Sequence, residues 1–190
     1  MKKKLISILM CAMIGTTVIG CGSSDKDGSK EAGSKTESEA DREGETQAID
    51  KDFSLQMTDG YTFTDPQDID FDQRFVLKGD ESCKLLSDMA NMGYPATTIY
   101  DIVYANDGAA AAEYQYFVAA DEAGAASLAE FYTSQGQQIT QEGNVIYVYS
   151  EGDTLQASIA TMAAMDAITD ETVEAYIEMM KSFNGLVEYE

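Results

Sequence analysis

Histidine and tryptophan are absent from the 190 residues, cysteine occurs three times and proline twice. Without His, Ser–His and Cys–His triads are impossible, and so are His-based zinc and haem sites. Basic residues are scarce: 12 Lys and Arg stand against 34 Asp and Glu, a formal charge of −22. Such a charge repels phosphate backbones, so no nucleic acid is expected as a partner. It also argues against a polybasic membrane-surface patch. It leaves cations, basic partners, or solubility beside a charged cell surface. The chain carries no Gly-rich phosphate loop, G-x-S-x-G elbow, C-x-x-C or H-E-x-x-H. No cofactor is expected. At 44% hydrophobic residues, the chain as a whole is not a disordered acidic tail.

What is present begins with Lys2, Lys3 and Lys4, followed by an apolar run from Leu5 to Ile19. The run is short for a membrane span and ends in small residues, which is the layout of a secretory signal. It closes with Val18-Ile19-Gly20-Cys21. This resembles the lipobox of bacterial lipoproteins, in which a branched apolar residue, a small or apolar residue and Gly or Ala precede a Cys. Val18 stands where Leu is commonest, and Ile19 where a smaller residue is commonest. The resemblance covers this segment alone. It implies that residues 1–20 are removed and that Cys21 carries a diacylglyceryl group. It further implies an extracytoplasmic, lipid-anchored protein held on the membrane of a bacterium. Two acyl chains anchor firmly where one binds reversibly. Cys11 falls in the segment expected to be removed, which leaves Cys83 as the one free thiol.

Residues 21–50 carry the lipidated Cys and a Gly-, Ser- and acid-rich stretch without Phe, Tyr, Leu, Met or Val. Such a stretch cannot bury a core and is expected to be a flexible spacer. All seven Phe and all eleven Tyr fall in residues 51–190. That length suits one globular domain. It is acidic, with five basic residues against twenty-five acids.

Phe53, Leu55 and Met57 alternate up to Thr58-Asp59-Gly60, and Tyr61 and Phe63 resume the alternation, which predicts a hairpin. Further strands are expected over 71–78, 97–105, 113–120, 137–141 and 144–150. Helices are expected from Asp80, Asp121, Asp153 and Asp170, the last ending at Asn184-Gly185. The fold class is therefore α+β, a mainly antiparallel sheet with helices on one face. From Phe71 to Gln141 the order βαββαβ matches the split crossover of ferredoxin-like sandwiches.

Three clusters are candidate sites. Asp65, Asp68, Asp70 and Asp72 put several carboxylates along one extended segment, and hard cations such as Ca²⁺ want clustered oxygens. The alternative is a charged edge that resists aggregation. An EF-hand is excluded, because Gln73 and Gly79 stand where its Gly and Glu belong. Tyr100 and Tyr104, Tyr114 and Tyr116, and Tyr147 and Tyr149 form the second cluster. If their strands pair in register, one face carries six rings able to stack on sugars or peptides. The alternative is that these rings belong to the helix-covered core face. Met89 with Met92 and Met162 with Met165 could hold Cu(I), but helical spacing also suits core filler. The acid pairs Asp80-Glu81, Asp121-Glu122 and Asp170-Glu171 are read as helix caps. The expected role is a non-enzymatic binding or scaffold domain with a cell-envelope protein, peptide or glycan as partner. A Ca²⁺-binding lipoprotein and a small carboxylate-dependent hydrolase are the alternatives.

Overall fold

A computed structural model describes Ile49, residues 53–57 and residues 60–189. The signal-like segment, Cys11, Cys21, nearly all of the spacer and the Thr58-Asp59 turn lie outside the described residues. In chain order the elements are β1 (Ser54–Gln56), β2 (Thr62–Thr64), β3 (Gln73–Asp80), α1 (Lys84–Asn91), β4 (Ala96–Asn106) and β5 (Ala109–Ala119). Then follow α2 (Glu122–Ser134), β6 (Gln138–Glu142), β7 (Val145–Glu151), α3 (Gly152–Ala164), α4 (Val173–Ser182) and β8 (Val187–Glu188).

The fold is α+β. Six strands form one antiparallel sheet in the order β6-β7-β5-β4-β3-β8, and β1 pairs with β2 as a separate hairpin. Its centre is the 11-residue pair β4 and β5. Asp107 and Gly108 join them with positive φ of 51° and 77°. Two such residues twist a tight turn the way paired strands twist.

The strand order departs from the ferredoxin-like expectation. β3 and β4 are direct antiparallel neighbours, with Asp80 opposite Thr98. A parallel crossover must carry the chain back along the whole of β3, roughly 26 Å for eight residues. The eight residues of α1 reach only about 12 Å, so the chain turns back beside β3 instead. The split crossover forms one unit later. β5, α2 and β6 make it, with β7 pairing between β5 and β6.

Both faces of the sheet are covered. The helices lie on the face that carries Leu77, Ile99, Val103, Phe117, Ile146 and Val148. Burying one such aliphatic or aromatic side chain stabilises by about 1.5–3 kcal/mol. The opposite face carries the tyrosines and is covered by the β1–β2 hairpin through Leu55, Met57 and Phe63. That double cover explains the near-continuous apolar run of β4.

Local capping follows the sequence in one helix of four. Asp121 caps α2, accepting from Gly124 N–H at 2.8 Å. Asp80 does not start α1. It accepts from the backbone N–H and hydroxyl of Ser82 at 2.8 and 2.5 Å, a local turn. The cap of α1 is Cys83, whose Sγ accepts from Leu86 N–H at 3.5 Å. The cap of α4 is Thr172 rather than Asp170. Asp153 caps nothing, because no side chain hydrogen-bonds the start of α3. Gln156 reaches away, accepting from Ala110 N–H at 3.0 Å and donating to the Glu171 carbonyl at 3.2 Å. Helix α3 instead starts directly on Gly152, where a Cβ would meet the carbonyl oxygens of Ala110 and Ala111 at 2.5 and 2.7 Å.

Candidate functional site

The six tyrosines share one face. Tyr100 stands opposite Tyr116 and Ile102 opposite Tyr114. Tyr116 and Tyr114 stand in turn opposite Tyr147 and Tyr149. Directly opposed residues in an antiparallel pair project to the same side. That side is not the helix-covered face. The parity that buries Ile102 and Val118 is real, but the β1–β2 hairpin provides their cover.

The rings grade from buried to open across the sheet. Tyr100 and Tyr104 are fully buried and Tyr116 nearly so, while Tyr114, Tyr147 and Tyr149 are half-buried. They touch in sequence. Tyr116 meets Tyr147 edge-on at 4.7 Å, and Tyr114 meets Tyr149 at 4.9 Å. Tyr61, on the hairpin, lies edge-on to Tyr147 at 6.1 Å and donates its hydroxyl to the Glu142 carbonyl at 2.9 Å. Aromatic contacts of this kind add about 0.5–1.5 kcal/mol each beyond burial. Next to β7, the β6 residues on this face are Gln138, Thr140 and Glu142, all exposed.

The two ends of the face differ in charge. At the β3 end the chain supplies its own cations. Arg74 stacks on Phe53 at 3.7 Å, and Lys78 Nζ lies 5.1 Å from the Tyr100 ring and 4.9 Å from Tyr189. At the β7 end the groups around the rings are carboxylates. Burial raises the titration of Tyr147, and the charge of Glu142 raises it further. Tyr149 is raised by burial and then by Glu151 and Asp68. Tyr114 is pushed up to about 12 by burial, with Tyr149 and Asp68 adding to it. These phenols stay protonated at neutral pH, and the strip presents neutral rings beside negative charge.

The aspartate row does not assemble into a cation site. Asp65 turns inward, accepting from Arg74 Nη1 at 2.5 Å and from the Tyr104 hydroxyl at 2.7 Å. Asp68, Asp70 and Asp72 are exposed, and Asp72 accepts from Asp107 N–H at 3.2 Å. Among the described residues no group of three or more His, Cys, Asp or Glu could hold one ion. Asp65 is instead the anchor that fastens the segment after β2 to the tyrosine face. Met89 and Met162 are core residues of α1 and α3. Cys83 is buried, and burial raises its thiol titration.

The sequence reading missed a second cluster, under the helices. Asp101 of β4 and Glu113 of β5 are 0% and 1% exposed. Glu113 accepts from the Tyr176 hydroxyl of α4 at 2.6 Å and from Gln115 Nε2 at 3.4 Å. The signal was available: Asp101 shares its strand parity with Ile99 and Val103, both core residues. Of the two surface hollows described, one is lined by residues around Asp65 to Phe71. The other runs beside α4, from Ala167 to Phe183. Neither reaches this carboxylate pair. Among the described residues no helix is long and apolar enough to cross a membrane.

Comparison with protein-family models, curated proteins and solved structures gives no match for this chain.

Proposed function

We propose that the chain is a lipid-tethered, extracytoplasmic, non-enzymatic binding domain whose open tyrosine strip receives a basic segment of a cell-envelope protein. Val18-Ile19-Gly20-Cys21 and the polar spacer support the tether. The binding half rests on the uneven placement of cations along the tyrosine face. Rings near β3 are occupied by Arg74 and Lys78, whereas those near β7 are flanked by Asp68, Glu142 and Glu151. A Lys or Arg side chain from a partner would complete at the second end what the chain completes for itself at the first. A cation over a tyrosine face contributes about 0.5–1 kcal/mol when exposed and about 2 kcal/mol when desolvated. The excess of twenty-five acids over five basic residues in residues 51–190 steers a basic partner toward the domain.

The test is fluorescence anisotropy of a labelled Lys/Arg-rich peptide titrated with the full-length chain in detergent. Binding is expected to weaken about tenfold when Tyr147 and Tyr149 become Leu, which equals about 1.4 kcal/mol of lost cation–ring contact. Binding that follows net charge alone, unchanged by the tyrosine substitutions, would overturn the reading. So would selective binding of an uncharged glycan on the same strip.

A further inference from the structure

We propose that Asp101 and Glu113 share one proton inside the folded domain, forming a protonation site beneath α4 that limits the fold at high pH. The inference rests on the core and is independent of the tether and of the tyrosine strip. Both side chains are out of water, at 0% and 1% exposure. They project from neighbouring strands on the helix-covered side, Asp101 opposite Gln115 and Glu113 two residues earlier on β5. Glu113 is satisfied as an acceptor, taking the Tyr176 hydroxyl at 2.6 Å and Gln115 Nε2 at 3.4 Å.

Asp101 is not satisfied. Both of its carboxyl oxygens are buried, and among the described residues neither meets a donor at hydrogen-bonding geometry. Gln115 and Glu113 are nevertheless close enough to act on its titration. Two ionised carboxylates side by side in an apolar core would each meet a like charge where a donor is needed. Taking a charge out of water remains unfavourable even after relaxation. A proton on Asp101 removes one charge and supplies the missing donor toward Glu113.

Among the described residues the surroundings offer no other neutralisation. The groups acting on the pair are Gln115 from β5, Ser150 from β7 and Tyr176 from α4, and Tyr132 of α2 acts on Tyr176. All are uncharged at neutral pH. Burial drives Asp101 well above the usual carboxylate range and the charge of Glu113 adds to it, while burial also raises Glu113. The sign follows. An acid held protonated only in the native state stabilises fully below its unfolded titration near pH 4. That stability is lost as pH rises toward the native titration.

The test is urea unfolding of the full-length chain in detergent from pH 5 to pH 8, beside Asp101→Asn. Relative to the variant, the wild-type unfolding constant is expected to rise about tenfold per pH unit, the slope of one proton bound only by the native state. Asparagine keeps the shape and donates to Glu113 without titrating. If Asp101→Asn does not fold, Asp101→Leu replaces it with the same expectation, because leucine fills the position without titrating. An infrared band of a protonated carboxylic acid at pH 7, absent from the variant, is the direct readout. Parallel pH profiles, or no such band in the wild type, would overturn the proposal. So would stabilisation by Ca²⁺ or Mg²⁺ at neutral pH that Asp101→Asn abolishes, because a metal rather than a proton would then fill the site.

Discussion

Replacing Asp65 by Ala tests whether the hairpin side of the sheet is fastened as described. The Asp65 carboxylate is 5% exposed and the Arg74 side chain 14%, with 2.5 Å between them. Its second oxygen accepts from Tyr104, which is fully buried. Removing one partner of a fully buried pair costs about 3–5 kcal/mol, because the other charge keeps its desolvation penalty. Arg74 retains some solvent and its stack on Phe53, so the lower end applies, about 3 kcal/mol. In a domain of this size that corresponds to a fall in Tm of roughly 10 °C. Tyr104→Phe deletes one hydrogen bond to a charged group and should cost about 1.5 kcal/mol. Urea unfolding followed by circular dichroism gives both values. Quenching of tyrosine fluorescence by acrylamide, uncomplicated by Trp, reports whether the buried rings become accessible. A loss below about 1 kcal/mol for Asp65→Ala, the level of an exposed ion pair, would refute the anchoring argument.

Other substitutions follow from the same geometry. Gly152→Ala pushes a methyl group into two backbone carbonyl oxygens of β5 and should destabilise by about 2–3 kcal/mol, read from the urea midpoint. Asp121→Ala removes the cap of α2 and should cost about 1 kcal/mol in the same assay. The Cys83 thiol, buried and raised in its titration, should react with a thiol reagent only at the rate of unfolding. Fast labelling located at Cys83 in the native chain would contradict its burial.

Strand alternation carried most of the fold into view. The period-two pattern of Phe53 to Phe63 gives the hairpin, and the parity of Tyr100, Tyr104, Tyr114 and Tyr116 gives the shared face. What covers that face was not legible. The cover is a hairpin about forty residues before β4 in the chain, and no local pattern says on which side it folds. The order of β3 and β4 depends on a length comparison between a short helix and a longer strand, which element order alone hides. Asp65 looked like one of four equivalent carboxylates. Its inward turn is set by Arg74 and by Tyr104, the latter 39 residues away. Asp101 escapes the sequence pattern because an acid in a strand reads as a solvent-facing residue, although its parity matches Ile99 and Val103.

The tether is tested most directly by growing bacteria that express the full chain with an alkyne-bearing fatty acid, then coupling a fluorophore to the labelled protein. The wild-type chain should carry the label and stay with the membrane fraction, and Cys21→Ser should lose both. A wild-type chain without label, or a Cys21→Ser chain that keeps it, would contradict a domain held to its membrane through Cys21.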